Sequence, residues 1–483
     1  MSKLNRDILF LIFEEFLNDS RSLFSCLIVN RLWCETAIPI LWRNPWRYEI
    51  SYNNESLFYD IVSYLTDDIK EFLTEQGIKL PSTSHKSFLF DYLSYCGSIN
   101  ISIINTIISR STKIITSYTQ FLLQQEIYKV LIKKCLELKC LDIISIKHQI
   151  FYFPEANTRL NLLCELTCST SIDPSYFYGL SRICQKIQRL IIINTIPKAN
   201  HGIVKLIEVQ KNLKYFEWED DFDEIFFIDP YEDIFMALTK RADTLNHLKV
   251  IFQFIDDYEH TFLQKVLPEL HNLRTLKIDD LTLSNESSLK KLFYRDLEIF
   301  KIDYIEIQTA TCIVENSGGY LRKILLKYCS YDNFNEDSLV LIRTIYKNCP
   351  LIEDLSLVFS SSVDHFIEFE KLLLTCKQLK SLLLIKNSIV DDNDQMSNED
   401  KFSDGEELLK ILVRSAPNNL REIRFFDNFK ISLEILGSFL EGWRGRPSLS
   451  ILTSDPVYEG ENYINLVKKY KDDGVIKDFR REI

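Results

Sequence analysis

Glycine and proline are scarce in this chain, at 12 each in 483 residues. That excludes collagen-like and low-complexity architectures and leaves little room for long flexible linkers. Catalytic signatures are missing as well. There is no G-x-S-x-G elbow, G-x-x-x-x-G-K-[ST] loop, G-x-G-x-x-G turn or H-E-x-x-H helix. The only double glycine, Gly318-Gly319, stands just before Leu321 and reads as a turn rather than a phosphate cradle. The twelve cysteines contain no C-x-x-C pair, and the seven histidines are scattered without ligand spacing. Sparse cysteines in apolar company, as in Lys139-Cys140-Leu141, are expected to be buried free thiols of a reducing compartment. The apolar run Ile8–Phe13 is too short to span a membrane, is followed by Glu14-Glu15 and lacks a cleavage site. A cytoplasmic or nuclear protein with no membrane partner is the expectation. A net charge of −12 leaves no general basic field for nucleic acid.

What the chain does have is 46% apolar and 26% charged residues, the balance of a folded protein too long for one ordinary core. Three organisational zones are legible: residues 1–46, 47–135 and 136–483. In the first, helical patterns run over Leu4–Leu17, Ser20–Asn30 and Leu32–Leu41. Leu4, Ile8, Leu11, Ile12 and Phe16 recur at three- and four-residue steps, while Leu9, Phe10, Phe13 and Leu17 occupy the remaining faces. A short helix apolar nearly all round needs a surface beyond its own fragment.

Residues 48–134 read as helices around Ser56–Leu73, Ser87–Tyr95, Ile101–Ser109 and Tyr118–Lys134, a helical bridge that caps the C-terminal zone. From Leu138 onward a short pattern returns: apolar, two variable, apolar, one variable, apolar. It appears as Leu138..Leu141.Ile143, Leu163..Leu166.Cys168, Ile187..Leu190.Ile192 and Leu213..Phe216.Trp218. Eight further copies extend the series, from Leu245..Leu248.Val250 to a weaker Leu449..Leu452. Successive copies are mostly about 24 to 32 residues apart. Each copy predicts a short strand with one apolar side. Helix-like stretches such as Asp233–Ala242, Leu339–Tyr346 and Phe366–Thr375 lie between strands. One strand and one helix cannot bury their apolar sides alone, so the copies must stack. The longer step from Leu379 to Leu420 holds an acidic insertion, 391–400, expected to be a solvated loop. Its Asp-x-Asn spacing lacks the glycine and glutamate of a calcium loop.

Leu4-Asn5-Arg6-Asp7-Ile8, Ile12-Phe13, Phe16-Leu17, Leu23, Cys26, Val29, Asn30-Arg31-Leu32-Trp33 and Leu41-Trp42-Arg43 together resemble an F-box. Asn5 stands where a proline commonly follows the first leucine, and asparagine is itself a good helix N-cap. The repeats resemble the leucine-rich-repeat horseshoe. The resemblance implies an α/β fold: a three-helix F-box and helical bridge, then a leucine-rich-repeat solenoid with a parallel concave sheet. It further implies a substrate-recognition subunit of an SCF-type (Skp–cullin–F-box) ubiquitin ligase. Such a subunit binds a Skp-type adaptor, and through it a cullin, by the F-box, and a protein substrate by the repeats. Neither enzymatic activity nor a cofactor is expected. The alternative is a non-catalytic repeat scaffold whose F-box-like segment engages no adaptor.

Candidate adaptor contacts are Leu4, Ile8, Ile12, Leu17, Leu23, Val29 and Trp33. Candidate substrate contacts come from the strand alternation. The central outward position of three consecutive repeats is Lys249, Lys277 and Lys301, expected to form a column about 4.8 Å apart from strand to strand. Asp279 and Asp303 are expected to screen it, as would an acidic or phosphorylated substrate segment. Replacing the three lysines by Glu is expected to abolish capture while leaving the melting temperature nearly unchanged.

Overall fold

The computed structural model describes residues 4–48, 54–81, 88–112, 116–196, 198–222, 231–253, 261–281, 291–329, 334–360, 362–386, 398–426, 431–454 and 460–481. Two compact units divide the chain, Met1–Ala237 and Leu238–Ile483.

The first unit opens with three helices, α1 (Arg6–Glu14), α2 (Ser20–Leu27) and α3 (Arg31–Arg43). Each is started by a side-chain cap of the kind that satisfies orphan N–H groups. Asn5 accepts from Ile8 N at 2.9 Å, Asp19 from Ser22 N at 3.1 Å and Asn30 from Trp33 N at 3.0 Å. Helices Asn54–Ser63, Asp67–Glu75, Ile101–Ser111 and Ser117–Lys134 come next. Within that stretch, read from sequence as helices without strand alternation, lies a strand, β1 (Ser98–Asn100), between two of the expected helices. It is tied back to the opening helices: Trp46 Nε1 donates to Ser98 O at 2.7 Å and Gly97 N to Arg43 O at 2.9 Å.

Four more strands continue from β1 in sequence order, all parallel: β2 (Cys140–Asp142), β3 (Glu165–Ser169), β4 (Arg189–Asn194) and β5 (Tyr215–Asp220). Their register sets Leu141, Leu166, Leu190 and Phe216 side by side, all buried. Helices Pro174–Ile183 and His201–Val209 close over this row and pack closely, because Gly202 has no side chain. A Cβ there would lie 2.2 Å from Pro174 O.

Among the described residues the second unit repeats the plan with nine strands: β6 (His247–Ile251), β7 (Thr275–Leu281), β8 (Ile299–Ile305), β9 (Lys323–Cys329), β10 (Asp354–Phe359), β11 (Ser381–Lys386), β12 (Glu422–Phe426), β13 (Leu449–Thr453) and β14 (Ile476–Arg481). Neighbours again pair in parallel and in order. Leu248, Leu276, Phe300, Ile324, Leu355, Leu382 and Ile423 form its buried row. Connecting helices include Phe334–Asn348, Val363–Thr375, Asn398–Ser415, Leu433–Gly442 and Glu461–Asp472. The fold is therefore α/β, with N-terminal helices followed by strand–helix repeats on parallel sheets. Residues are buried in both units wherever the repeat pattern placed an apolar residue, because parallel strands need a covered face.

Three details depart from the sequence reading. The last expected copy is out of register by one residue: Ile451, not Leu452, stands opposite Ile423. A further strand, β14, comes after it. Helix Asn398–Ser415 begins within the acidic insertion, whose residues 391–397, with their calcium-like spacing, lie outside the described residues.

Candidate functional site

Helices α1–α3 make a core of their own from Leu9, Phe13, Leu23, Cys26, Ala37, Ile40 and Leu41. Phe10, Phe16, Leu17, Leu27, Trp33 and Trp42 pack against it while staying partly accessible. Phe13 and Trp33 meet edge to face, 5.2 Å between ring centroids. That core accounts for one side of each helix. On α1 the other side carries Ile8, Leu11 and Ile12 into solvent, preceded by exposed Leu4. Phe24 and Ile28, one helical turn apart, are exposed at α2 and its end, with Val29 and Leu32 beyond. Ile28 is 88% accessible. Eight large apolar side chains thus face solvent between residues 4 and 32. A patch-free monomer surface does not concentrate them so.

The candidate contacts sort by this geometry. Leu4, Ile8, Ile12 and Val29 lie on the accessible side. Leu17 and Trp33 straddle core and surface. Leu23 is fully buried and offers a partner nothing, so it is corrected to a core residue. Its neighbour Phe24 takes the exposed position instead, one helical residue, about 100°, further round. Leu11, Phe24, Ile28 and Leu32 are exposed as well, although they are not among the candidates from sequence. The signals that could have found them are the i, i+3 step from Ile8 to Leu11 and the i, i+4 steps from Phe24 to Ile28 and from Ile28 to Leu32.

In the second unit, Lys249, Lys277 and Lys301 stand opposite one another on β6, β7 and β8. Each is half-buried. Asp303 reaches Lys301 at 3.8 Å and Lys327, on β9, at 3.4 Å. Burial raises the Asp279 carboxyl above the ordinary range and the nearby Asp303 charge adds to it; Lys301, Lys327 and Lys249 pull the other way. The face is a lattice of both signs, and Lys327 belongs to it although the repeat pattern did not single it out.

Several other polar groups on or beside the strands are paired within the chain. Arg189 lies over the Tyr215 ring, 3.8 Å from its centroid, and 3.6 Å from both Glu165 and Glu217. Glu353 joins Arg322 and Lys380, each at 2.7 Å. Among the described residues no group of three or more His, Cys, Asp or Glu is placed to hold a metal ion. No described helix is long and apolar enough to cross a membrane.

No family model matches this sequence, and no curated protein matches it. Among solved structures, the chain is similar to one described as the crystal structure of the Rad7 and Elc1 complex in yeast. The two share 14% sequence identity over 77% of this chain and 90% of that one, with a TM-score of 0.41. The fold itself defines the class: a repeat protein of alternating strands and helices behind an N-terminal helical module.

Proposed function

We propose that this chain is the substrate-recognition subunit of an SCF-type ubiquitin ligase, with helices α1–α3 seated on a Skp-type adaptor that connects to a cullin. The observation that carries the reading is the unpartnered apolar side of a helical module whose own core is already complete. Eight exposed apolar side chains supply the centre of a standard interface, which buries roughly 800 Å² per partner. Asn5 supports it too: in place of proline it caps α1, so the exposed turn Ile8–Ile12 keeps its helical geometry.

The repeats hold the substrate, against the sheet face that carries Lys249, Lys277 and Lys301. The protein performs no chemistry itself. It raises the effective concentration of a substrate lysine near the charged ubiquitin carrier.

Calorimetry of the full chain against a purified Skp-type adaptor tests the reading, beside an Ile8→Asp/Ile28→Asp variant. Binding by the parent and its loss in a folded variant is the expected result. A folded parent that does not bind would sink the ligase reading and leave the repeat scaffold. Equal binding by both would move the contact off this face.

A further inference from the structure

Helix Glu461–Asp472, in the second unit, has two sides of different character. Tyr463, Leu466 and Tyr470, at i, i+3 and i+7, turn towards helix Leu433–Gly442 and its start. Tyr463 Oη donates to Ile431 O at 2.8 Å and Tyr470 Oη to Glu441 Oε2 at 2.9 Å. Ile464, Val467, Lys468 and Lys471, at i, i+3, i+4 and i+7, share another side. With β14 they line a cavity of about 440 Å³.

This cavity joins apolar surface to charge of one sign. By register Phe479 continues the row Ile423–Ile451, and where those two are sealed, Phe479 stays half-buried in the lining. Val467 is half-buried as well, and Ile464 is 54% accessible. The rest of the described lining is Thr453 and four cations, Lys468, Lys471, Arg480 and Arg481; none of it is a carboxylate. Arg480 lies 3.6 Å from Asp478, and Arg481 Nε donates to Ser454 O at 3.3 Å. Lys468 and Lys471 are exposed and make no ion pair with a described carboxylate. In a chain of net charge −12, this is a local reversal of sign beside uncovered apolar side chains.

We propose that this cavity docks a short acidic segment of a partner protein. One apolar side chain of the segment sits among Ile464, Val467 and Phe479, and its flanking carboxylates meet Lys468 and Lys471. Each half of the chemistry has its own part. Covering the apolar lining supplies affinity, because apolar surface open to water gains free energy when buried. The cations choose the sign of the segment and speed its approach. Arg480 and Arg481 already have partners within the chain, so the two lysines carry that choice. A lipid surface is the poorer occupant, since Val467 and Phe479 line a concavity instead of projecting into a plane. The site lies on other strands than the lysine column of β6–β8 and does not rest on the adaptor reading.

Methyl NMR of the full chain at low salt tests the proposal. The probe is an acetylated, amidated peptide with a central phenylalanine flanked on both sides by aspartates. Its counterparts carry asparagine for aspartate, or glycine for phenylalanine. The Ile464 and Val467 methyl resonances are expected to shift on titration. The asparagine peptide should bind at least about tenfold more weakly and the glycine peptide about fivefold more weakly. Lys468→Glu/Lys471→Glu should also lose at least about tenfold, and because both side chains are exposed the variant keeps its fold. A titration that leaves Ile464 and Val467 unmoved overturns the proposal, as does equal affinity for the aspartate and asparagine peptides. So does a folded double variant that binds like the parent. Tighter capture by phosphatidylserine vesicles than by the peptide, lost in the double variant, would assign the cavity to a membrane and overturn the protein partner.

Discussion

Arg414 grips Glu370 across neighbouring helices: its Nε and Nη2 donate to the two carboxylate oxygens at 2.6 and 2.7 Å. Ser415 Oγ adds a third bond at 2.6 Å. The Arg414 bonds first, then Ser415, hold the Glu370 carboxyl down at about 2, against an ordinary 4.5. The fork joins helix Val363–Thr375 to helix Asn398–Ser415.

A carboxyl depressed in the folded state contributes stability above its unfolded value and loses it as pH falls. Glu370 should therefore contribute fully above pH 4.5 and lose that contribution on the way down through about 2. The pair is solvent-facing, so its coupling should be only about 0.5–1 kcal/mol. A double-mutant cycle of Glu370→Gln and Arg414→Ala by urea denaturation at pH 7 measures it. A coupling of zero would make the fork ornamental.

His365 gives the opposite chemistry a similar sign. Its ring is fully buried, with Nε2 2.7 Å from Ser338 Oγ and Nδ1 2.7 Å from Ser362 Oγ. A neutral imidazole offers one donor and one acceptor, and a serine on each side satisfies both. Burial pushes its pKa down to about 4 from an ordinary 6.5. The unfolded chain thus binds the proton first, and stability falls as pH drops from 6.5 towards 4. The His365 share of that slope is at most about 1.4 kcal/mol per pH unit. His365→Gln should flatten the pH dependence of unfolding free energy over that window while lowering stability at pH 7.5. An unchanged slope would refute the assignment.

The repeat strands were legible because parallel stacking demands a buried residue at fixed steps, and Leu276 and Ile278 or Leu355 and Leu357 meet that demand visibly. The first strand was not. Ser98-Ile99-Asn100 has one inward-facing apolar residue, too few to show an alternation. The register at the other end was obscured because Leu449, Ile451 and Leu452 are all buried, so two alignments fit the letters equally. In α1 and α2 the helical period was clear, yet which face meets solvent was not, since Leu23 and Phe24 are equally apolar. Only the packing of three helices around Phe13 separates them.

That separation changes which substitutions test the proposed adaptor binding. Trp33 is partly buried against Phe13, so Trp33→Ala removes packing and should cost on the order of 2 kcal/mol of stability. Ile28→Asp touches a side chain that is almost wholly exposed and should change stability by no more than about 0.5 kcal/mol. Thermal melts of the two variants check the ordering. If Ile28→Asp proves the more damaging, that side chain is not the free surface described.

The lysine column needs the same care. Lys301 faces Asp303, which also holds Lys327, so a glutamate at 301 would set two carboxylates together near an already raised Asp279. The triple replacement by Glu should therefore lower the melting temperature, contrary to the expectation from sequence, whereas Gln at all three positions spares the fold better. Asp303 itself offers the cleaner measurement. After burial, its charge is the next cause that raises Asp279. Asp303→Asn should accordingly lower the Asp279 pKa, because it removes a like charge and releases Lys301 and Lys327 to act on Asp279 alone. Carboxyl-carbon NMR titration of Asp279 in the two proteins reads the shift directly. A pKa that stays or rises would mean that burial alone governs Asp279 and that the two carboxylates do not share one electrostatic site.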